Sequence, residues 1–109
     1  MKKDFYSHNL KTLKIIGLIL VLITTTLVYS NHFENPFFFD DSHTIESNQA
    51  ITSLNEWTSF FTDAKTFSSL PANRAYRPMI TLMNAVDYKI AGGLNPTYFH
   101  YHIYFWYLL

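Results

Sequence analysis

Two adjacent carboxylates, Asp40 and Asp41, are the residues best suited to chemistry in this chain. They follow an apolar, aromatic stretch, where acidic side chains are costly to keep unless they are solvated, paired or used. One carboxylate could deprotonate an acceptor hydroxyl as a general base, both could bind a divalent cation through oxygen, or the pair is a solvated turn. Because adjacent side chains seldom point the same way, we favour a single active aspartate, with Asp41 preferred.

A second set of candidate residues lies in the stretch Arg74-Ala-Tyr-Arg-Pro78. Arginine binds phosphate through two parallel hydrogen bonds, so Arg74 or Arg77 near a membrane suggests a lipid-linked phosphate. The alternative is that these arginines lie on the surface or pair with an aspartate, including Asp40 or Asp41.

The histidines give weaker signals. His43 follows Asp41 in a D-D-x-H pattern that could bind a metal, but the spacing is generic. His100 and His102 are two apart and would lie on different faces of a helix, so we expect packing rather than chelation. No cofactor is predicted, and a divalent metal stays possible without support. The sequence has no Gly-rich phosphate loop and no Cys/His zinc pattern.

The composition indicates a membrane protein. Charged residues make up 15% of the 109-residue chain, against about 25% in a soluble domain. Aromatic residues reach 18%, which suits a membrane interface. A formal net charge of zero gives no basic field for nucleic acid. The absence of cysteine excludes disulfides and thiolate metal sites.

An uncharged run from Ile15 to Tyr29 predicts a transmembrane helix over residues 13–30. The lysines before it place residues 1–12 in the cytoplasm and the loop 31–97 on the periplasmic, luminal or extracellular side. A cleaved secretory signal ending near Ser30 is the alternative. Residues 98–109 are apolar and aromatic but too few to span, so we interpret them as the truncated start of a second transmembrane helix.

Two short amphipathic helices are predicted in the loop. The first starts at the N-cap Ser53, with Glu56 at capping-box spacing. The second runs from Pro78 to Ile90 and ends at Gly92 and Gly93. The stretch Pro36–Phe39 either lies at the lipid headgroups or packs against further helices, and the second is preferred. The predicted fold class is therefore an all-α membrane protein with one N-terminal transmembrane helix, a loop with two short helices and a truncated second span.

Several short motifs occur in a familiar order. They are Asn35-Pro-Phe-Phe-Phe-Asp-Asp41, Ile45, Asn48, Tyr76-Arg-Pro78, Tyr88, Gly93-Leu-Asn-Pro96 and Phe99-His100. In this order the chain resembles the N-terminal part of polytopic GT-C glycosyltransferases, above all the transmembrane O-mannosyltransferase-like proteins that carry tetratricopeptide repeats. The resemblance covers residues ~10–109. Ile103 departs from it, because the family commonly has asparagine at that position.

The resemblance implies transfer of a sugar, mannose among the candidates, from a polyprenyl-phosphate carrier to a protein or glycan acceptor. It implies that Asp40 or Asp41 is the catalytic base. From its position in the motif we infer that Arg77 either binds the donor phosphate or braces the loop, with Tyr76 as a second substrate-binding candidate. A piece of such an enzyme is expected to be inactive alone. Two alternatives remain: a small non-catalytic membrane protein that binds a partner or the bilayer through its aromatic loop, and a peptide secreted after cleavage at Ser30.

Overall fold

The computed structural model describes the backbone of residues 2–109 and the side chains of residues 8–109. Met1 lies outside the described residues, as do the side chains of the basic cluster Lys2 and Lys3. Residues 2–109 form helices and turns without a strand, which agrees with the all-α prediction.

The first helix, α1 (Lys2–Tyr29), contains the apolar run. The helical segment His8–His32 has 25 residues and a mean hydropathy of 2.1. At about 1.5 Å per residue it is long enough to cross a bilayer core of about 30 Å. None of its most apolar stretch is buried against protein, so lipid is the environment that suits these side chains. The predicted span 13–30 lies inside this segment.

The loop after α1 is built from short turns of helix. A π-helix spans Ser42–Glu46 and is followed by 3₁₀ helices, all of three to five residues. The first predicted loop helix differs from the structure: Ser53 has an extended backbone, and its hydroxyl accepts the N–H of Asn55 rather than capping an α-helix. That region contains instead a 3₁₀ helix at Trp57–Phe61.

The second predicted loop helix is present as α2 (Pro78–Ala91), with proline in its first turn. It stops at Gly92, whose φ of +74° is a left-handed conformation that favours glycine. The N–H of Gly93 bonds back to the carbonyl of Tyr88 at 2.9 Å, which satisfies a carbonyl of the last helical turn.

The last helix, α3 (Pro96–Leu108), is capped by Asn95, whose side chain accepts the N–H of Tyr98. It runs antiparallel to the end of α1. Tyr101 contacts the ring of Phe33 at 4.6 Å between centroids, and Tyr104 contacts that of Tyr29 at 4.9 Å. The hydroxyls of Thr26 and Tyr104 are also hydrogen-bonded.

A small core joins the loop to α2 and α3. Asn48 organises its polar part, since its side-chain N–H groups reach the carbonyls of Thr44, Thr66 and Phe67 at 3.0–3.2 Å. The buried apolar side chains are Ile45, Ile51, Phe60, Ala85 and Phe99. This core holds the turn that carries Asp40 and Asp41 against the N-terminal end of α2.

Candidate functional site

The two aspartates lie on a tight turn and differ in what they contact. Asp41 accepts the backbone N–H of Phe38 on Oδ2 at 3.1 Å, so its carboxylate braces the turn. The side chain of Asp40 is 84% exposed and receives no backbone hydrogen bond among the described residues. Asp40 is therefore the more exposed of the two carboxylates, since Asp41 is half-buried.

His43 is held beside Asp40, with its Nε2 at 3.3 Å from Asp40 Oδ1. Its Nδ1 lies 3.0 Å from the hydroxyl of the buried Ser68, and its Nε2 lies 2.9 Å from the side-chain nitrogen of Asn73. An imidazole protonated on Nδ1 donates to Ser68 and accepts from Asn73 on Nε2, and in this tautomer the 3.3 Å approach of Nε2 to Asp40 is not a hydrogen bond. His43 thus forms a fixed wall of the site.

Arg74 and Arg77 line a cavity of about 280 Å³ next to these residues. The other side chains that matter there are Asp40, His43, Phe67 and Asn73. The guanidinium of Arg77 lies over the Phe67 ring, 5.4 Å from its centroid. Within residues 8–109 neither arginine pairs with a carboxylate, and both are exposed, as the surface alternative expects. Two cations without an acidic partner make this basic cavity suitable for an anion.

A second, more apolar cavity of about 320 Å³ adjoins the first. Asp40, Phe67 and Arg77 line both cavities, whereas Asp41, Asp87 and His102 line only the second of the two. The exposed carboxylate and the guanidinium therefore lie where the basic cavity meets the apolar one. This arrangement can hold an anionic group on one side and present a base to a neutral group on the other.

Asp87 and His102, which line the second cavity, form a hydrogen-bonded chain with Trp106 that sequence reasoning missed. His102 Nδ1 lies 2.5 and 2.6 Å from the two Asp87 oxygens, and Trp106 Nε1 donates to His102 Nε2 at 2.8 Å. Because an indole N–H only donates, Nε2 must be unprotonated and Nδ1 carries the proton. The one available signal was a charged residue within the apolar face of α2, beside Met83, Val86 and Ile90.

Burial raises the pKa of the Asp87 carboxyl above its ordinary value of 3.8, while the hydrogen bond from His102 lowers it by less. Asp87 is only 4% exposed. The carboxylate is therefore kept in an apolar environment mainly by its hydrogen bond to the imidazole.

Tyr76 and His100 line neither of the two cavities. The Tyr76 hydroxyl donates to the carbonyl of Phe61 at 3.0 Å. His100 stacks on His32 with 4.1 Å between ring centroids, while His102 faces α2; the two histidines do not converge. Within the described side chains no three metal-binding groups lie close enough to hold an ion.

Comparison with known proteins gives matches of one kind. The chain is 31% identical to the mouse protein O-mannosyl-transferase TMTC4 over 86 residues, which is 75% of this chain and 12% of that protein. It is 33% identical to the human TMTC4 over 76 residues, covering 66% of this chain and 10% of the relative. Mouse protein O-mannosyl-transferase TMTC2 is 32% identical over 76 residues, or 67% of this chain and 9% of the relative.

The matched segment thus spans about a tenth of the length of these curated relatives. No protein-family model matches the chain, and no solved structure does. With a helix apolar enough to span a membrane, the matches indicate a glycosyltransferase-like membrane protein. They confirm the predicted resemblance: this chain is similar to a segment of the protein O-mannosyl-transferases TMTC4 and TMTC2.

Proposed function

We propose that this chain supplies the catalytic loop of a membrane glycosyltransferase of the GT-C type. The enzyme moves a sugar, with mannose the first candidate, from a polyprenyl-phosphate donor to a hydroxyl of a protein or glycan acceptor. The single observation that carries the proposal is that Asp40 and Arg77 line both adjoining cavities. A base and a phosphate-binding cation at one boundary are what such a transfer needs.

Asp40 is the proposed general base. Its carboxylate is exposed at the boundary of the cavities, whereas one oxygen of the Asp41 carboxylate accepts the backbone N–H of Phe38. This differs from the sequence-based preference for Asp41, which had no information on the turn. His43, held by Ser68 and Asn73, lies beside Asp40 and lines the same basic cavity.

Arg77 is the proposed ligand of the donor phosphate, with Arg74 beside it in the basic cavity. In the transfer, the acceptor oxygen forms a bond to the anomeric carbon of the sugar and its proton passes to Asp40. The bond between that carbon and the phosphate oxygen breaks, and the electron pair leaves with the polyprenyl phosphate. Arg77 stabilises the charge that develops on this phosphate. Phosphate is a good leaving group, so a second carboxylate is not required.

The proposed topology places the site outside the cytoplasm. The N-terminus is cytoplasmic, α1 spans the membrane, and residues 31–97 carry the site. In this proposal α3 begins a second span, and its antiparallel packing on α1 through Tyr101 and Tyr104 supports a helical hairpin. That packing also favours a retained α1 over a cleaved signal.

Matched substitutions test the assignment of the base. In membranes containing the native gene product, transfer from polyprenyl-phosphate mannose to a Ser/Thr peptide is measured. We expect Asp40→Asn to lower kcat by about 100-fold or more, since a general base contributes about 10²–10⁴. Asp41→Asn keeps an acceptor for Phe38 and should lower kcat less than about tenfold. Loss of activity in Asp41→Asn alone would move the base to Asp41, and full activity in both variants would sink the proposal.

The phosphate ligand is tested separately. Arg77→Lys keeps the charge but loses the two parallel hydrogen bonds, so we expect the KM for the donor to rise about tenfold, roughly 1.4 kcal/mol of binding. Lys65→Arg is the control, because Lys65 lines neither cavity. An unchanged KM in Arg77→Lys would remove Arg77 from the donor site.

A further inference from the structure

Phe39 has two features that do not stabilise the fold. Its φ is +48°, the only positive φ at a non-glycine residue in the described part of the chain. A bulky side chain is rarely found there, whereas glycine or asparagine would adopt this conformation at little or no penalty. The ring is also 94% exposed, and the ring of the neighbouring Phe38 is 52% exposed. A strained apolar residue that contacts nothing indicates a function outside the fold.

The backbone of this tip is rigidly bonded. The Phe39 carbonyl accepts both the N–H and the hydroxyl of Ser42, at 3.2 and 2.8 Å. The Phe38 carbonyl accepts the N–H of Asp41 at 3.0 Å, and the Asp41 carboxylate accepts the N–H of Phe38. Asp40 is the next residue and lies within this hydrogen-bonded turn.

The tip lies close to the level where α1 leaves the apolar region. Phe37 packs edge-on against Phe99, with 5.4 Å between centroids. Phe99 is half a turn before Tyr101, and Tyr101 contacts Phe33 directly after the end of the apolar segment at His32. Phe37 thus ties the tip to the start of α3, which packs on the end of α1, and both Phe38 and the apolar residues of α1 are exposed.

We propose that Phe38 and Phe39 form a wedge that inserts into the headgroup and acyl boundary of the bilayer and fixes the height of Asp40 above it. Apolar and aromatic side chains on otherwise polar segments bind this region through buried apolar area. The two rings belong to consecutive residues, and neither ring has an aromatic partner among the described side chains. The wedge depends on α1 spanning the membrane, not on the transfer reaction.

Direct immersion of the wedge is measurable because the chain has no cysteine. A nitroxide is attached to Phe39→Cys in the full chain in phosphatidylcholine nanodiscs, and its collisions with oxygen and with a water-soluble nickel chelate are compared by EPR. The control label is at Glu56→Cys, an exposed loop position. We expect the label at position 39 to favour oxygen and that at position 56 to favour nickel. Equal nickel access at both positions overturns the wedge and leaves the rings for a protein partner.

A second measurement separates apolar contact from local structure. The label is placed at the exposed Glu46→Cys, and Phe39 is changed to leucine or to asparagine. Leucine keeps an apolar side chain with the strain, whereas asparagine tolerates the left-handed backbone but is polar. We expect nickel access at position 46 to rise at least twofold with asparagine and to stay constant with leucine. Identical access in the two variants, with unchanged circular dichroism, contradicts the proposal.

Discussion

At the scale of single residues, Asn48 does most to hold the loop together. It is 3% exposed and lies between two stretches that are about 20 residues apart in sequence. Its side-chain nitrogen donates to the carbonyls of Thr44, Thr66 and Phe67, and its oxygen accepts the N–H of Ala50. Neutral amide donors facing three buried carbonyls cannot be replaced by a group that only accepts.

Asn48→Asp therefore tests the side-chain hydrogen bonds of Asn48 with almost no change of volume. The aspartate keeps the acceptor for Ala50 but turns a donor into a charge facing three carbonyl oxygens, so we expect a loss of about 3 kcal/mol or more in the free energy of unfolding. Chemical unfolding followed by near-UV circular dichroism gives the value. Asn55→Asp on the exposed surface is the control and should change stability by less than about 0.5 kcal/mol. Equal losses in both variants would show that the hydrogen bonds of Asn48 do not hold the loop together.

At the scale of elements, α2 and α3 are joined by Asp87, His102 and Trp106. The folded-state pKa of Asp87 is raised, so the folded chain holds this proton more tightly than the unfolded chain. The contribution of the group to stability is thus fully present below a pH of about 3.8 and is lost as the pH rises through the folded-state pKa. At neutral pH the buried charge is a cost, which the hydrogen bond from His102 offsets in part.

A pair of variants isolates the carboxyl. In a His102→Gln background, which removes the titration of the imidazole but keeps an amide donor, Asp87 is compared with Asp87→Asn. We expect the stability of the Asp87 protein relative to the Asp87→Asn protein to increase as the pH falls from about 7 to about 4, at about 1.4 kcal/mol per unit of pKa difference at most. Denaturant unfolding at several pH values measures it. A difference that is constant with pH would mean that burial does not perturb this carboxyl.

An element could be predicted from the sequence where neighbouring residues determine it, and not where tertiary contacts do. Helix α2 was predictable, because an apolar stripe, Pro78 in the first turn and a glycine stop are all written in consecutive residues. The segment after Ser53 was not, because its 3₁₀ turn is held by contacts with α2 and the rest of the loop. A capping-box spacing only indicates a helix where tertiary contacts do not favour another structure.

The candidate site divides in the same way. Asp40, Asp41 and Arg77 could be selected by residue type, but their relation required a turn in which Asp41 bonds to Phe38. The pairing of Asp87 with His102 spans 15 residues and two helices, so no local pattern announces it. Tyr76 was selected as a candidate only because it adjoins Arg77 in the motif. In the structure its hydroxyl donates to the carbonyl of Phe61 in the loop.

At the scale of the whole molecule, the structure is elongated, with principal extents of 66 × 29 × 26 Å. A long apolar helix and a compact head suit a membrane with the head on one side. The contact of α3 with α1 through Tyr104 and Tyr29 makes the chain turn back toward the bilayer. The side on which the head lies then depends on charge near the ends of the span.

The orientation is the last prediction. With Lys11 and Lys14 before the uncharged run, we expect Asn55→Cys to react with a membrane-impermeant maleimide added to bacterial spheroplasts that express the chain in their plasma membrane. Changing both lysines to glutamate leaves Lys2 and Lys3 as the only lysines before the run and weakens the cytoplasmic bias, so the labelled fraction should fall at least twofold. Lys65→Glu, in the middle of the loop, is the matched control and should leave labelling unchanged. Labelling at position 55 only after permeabilisation would invert the topology and place Asp40 and Arg77 in the cytoplasm, where the lysine changes would then raise labelling from outside.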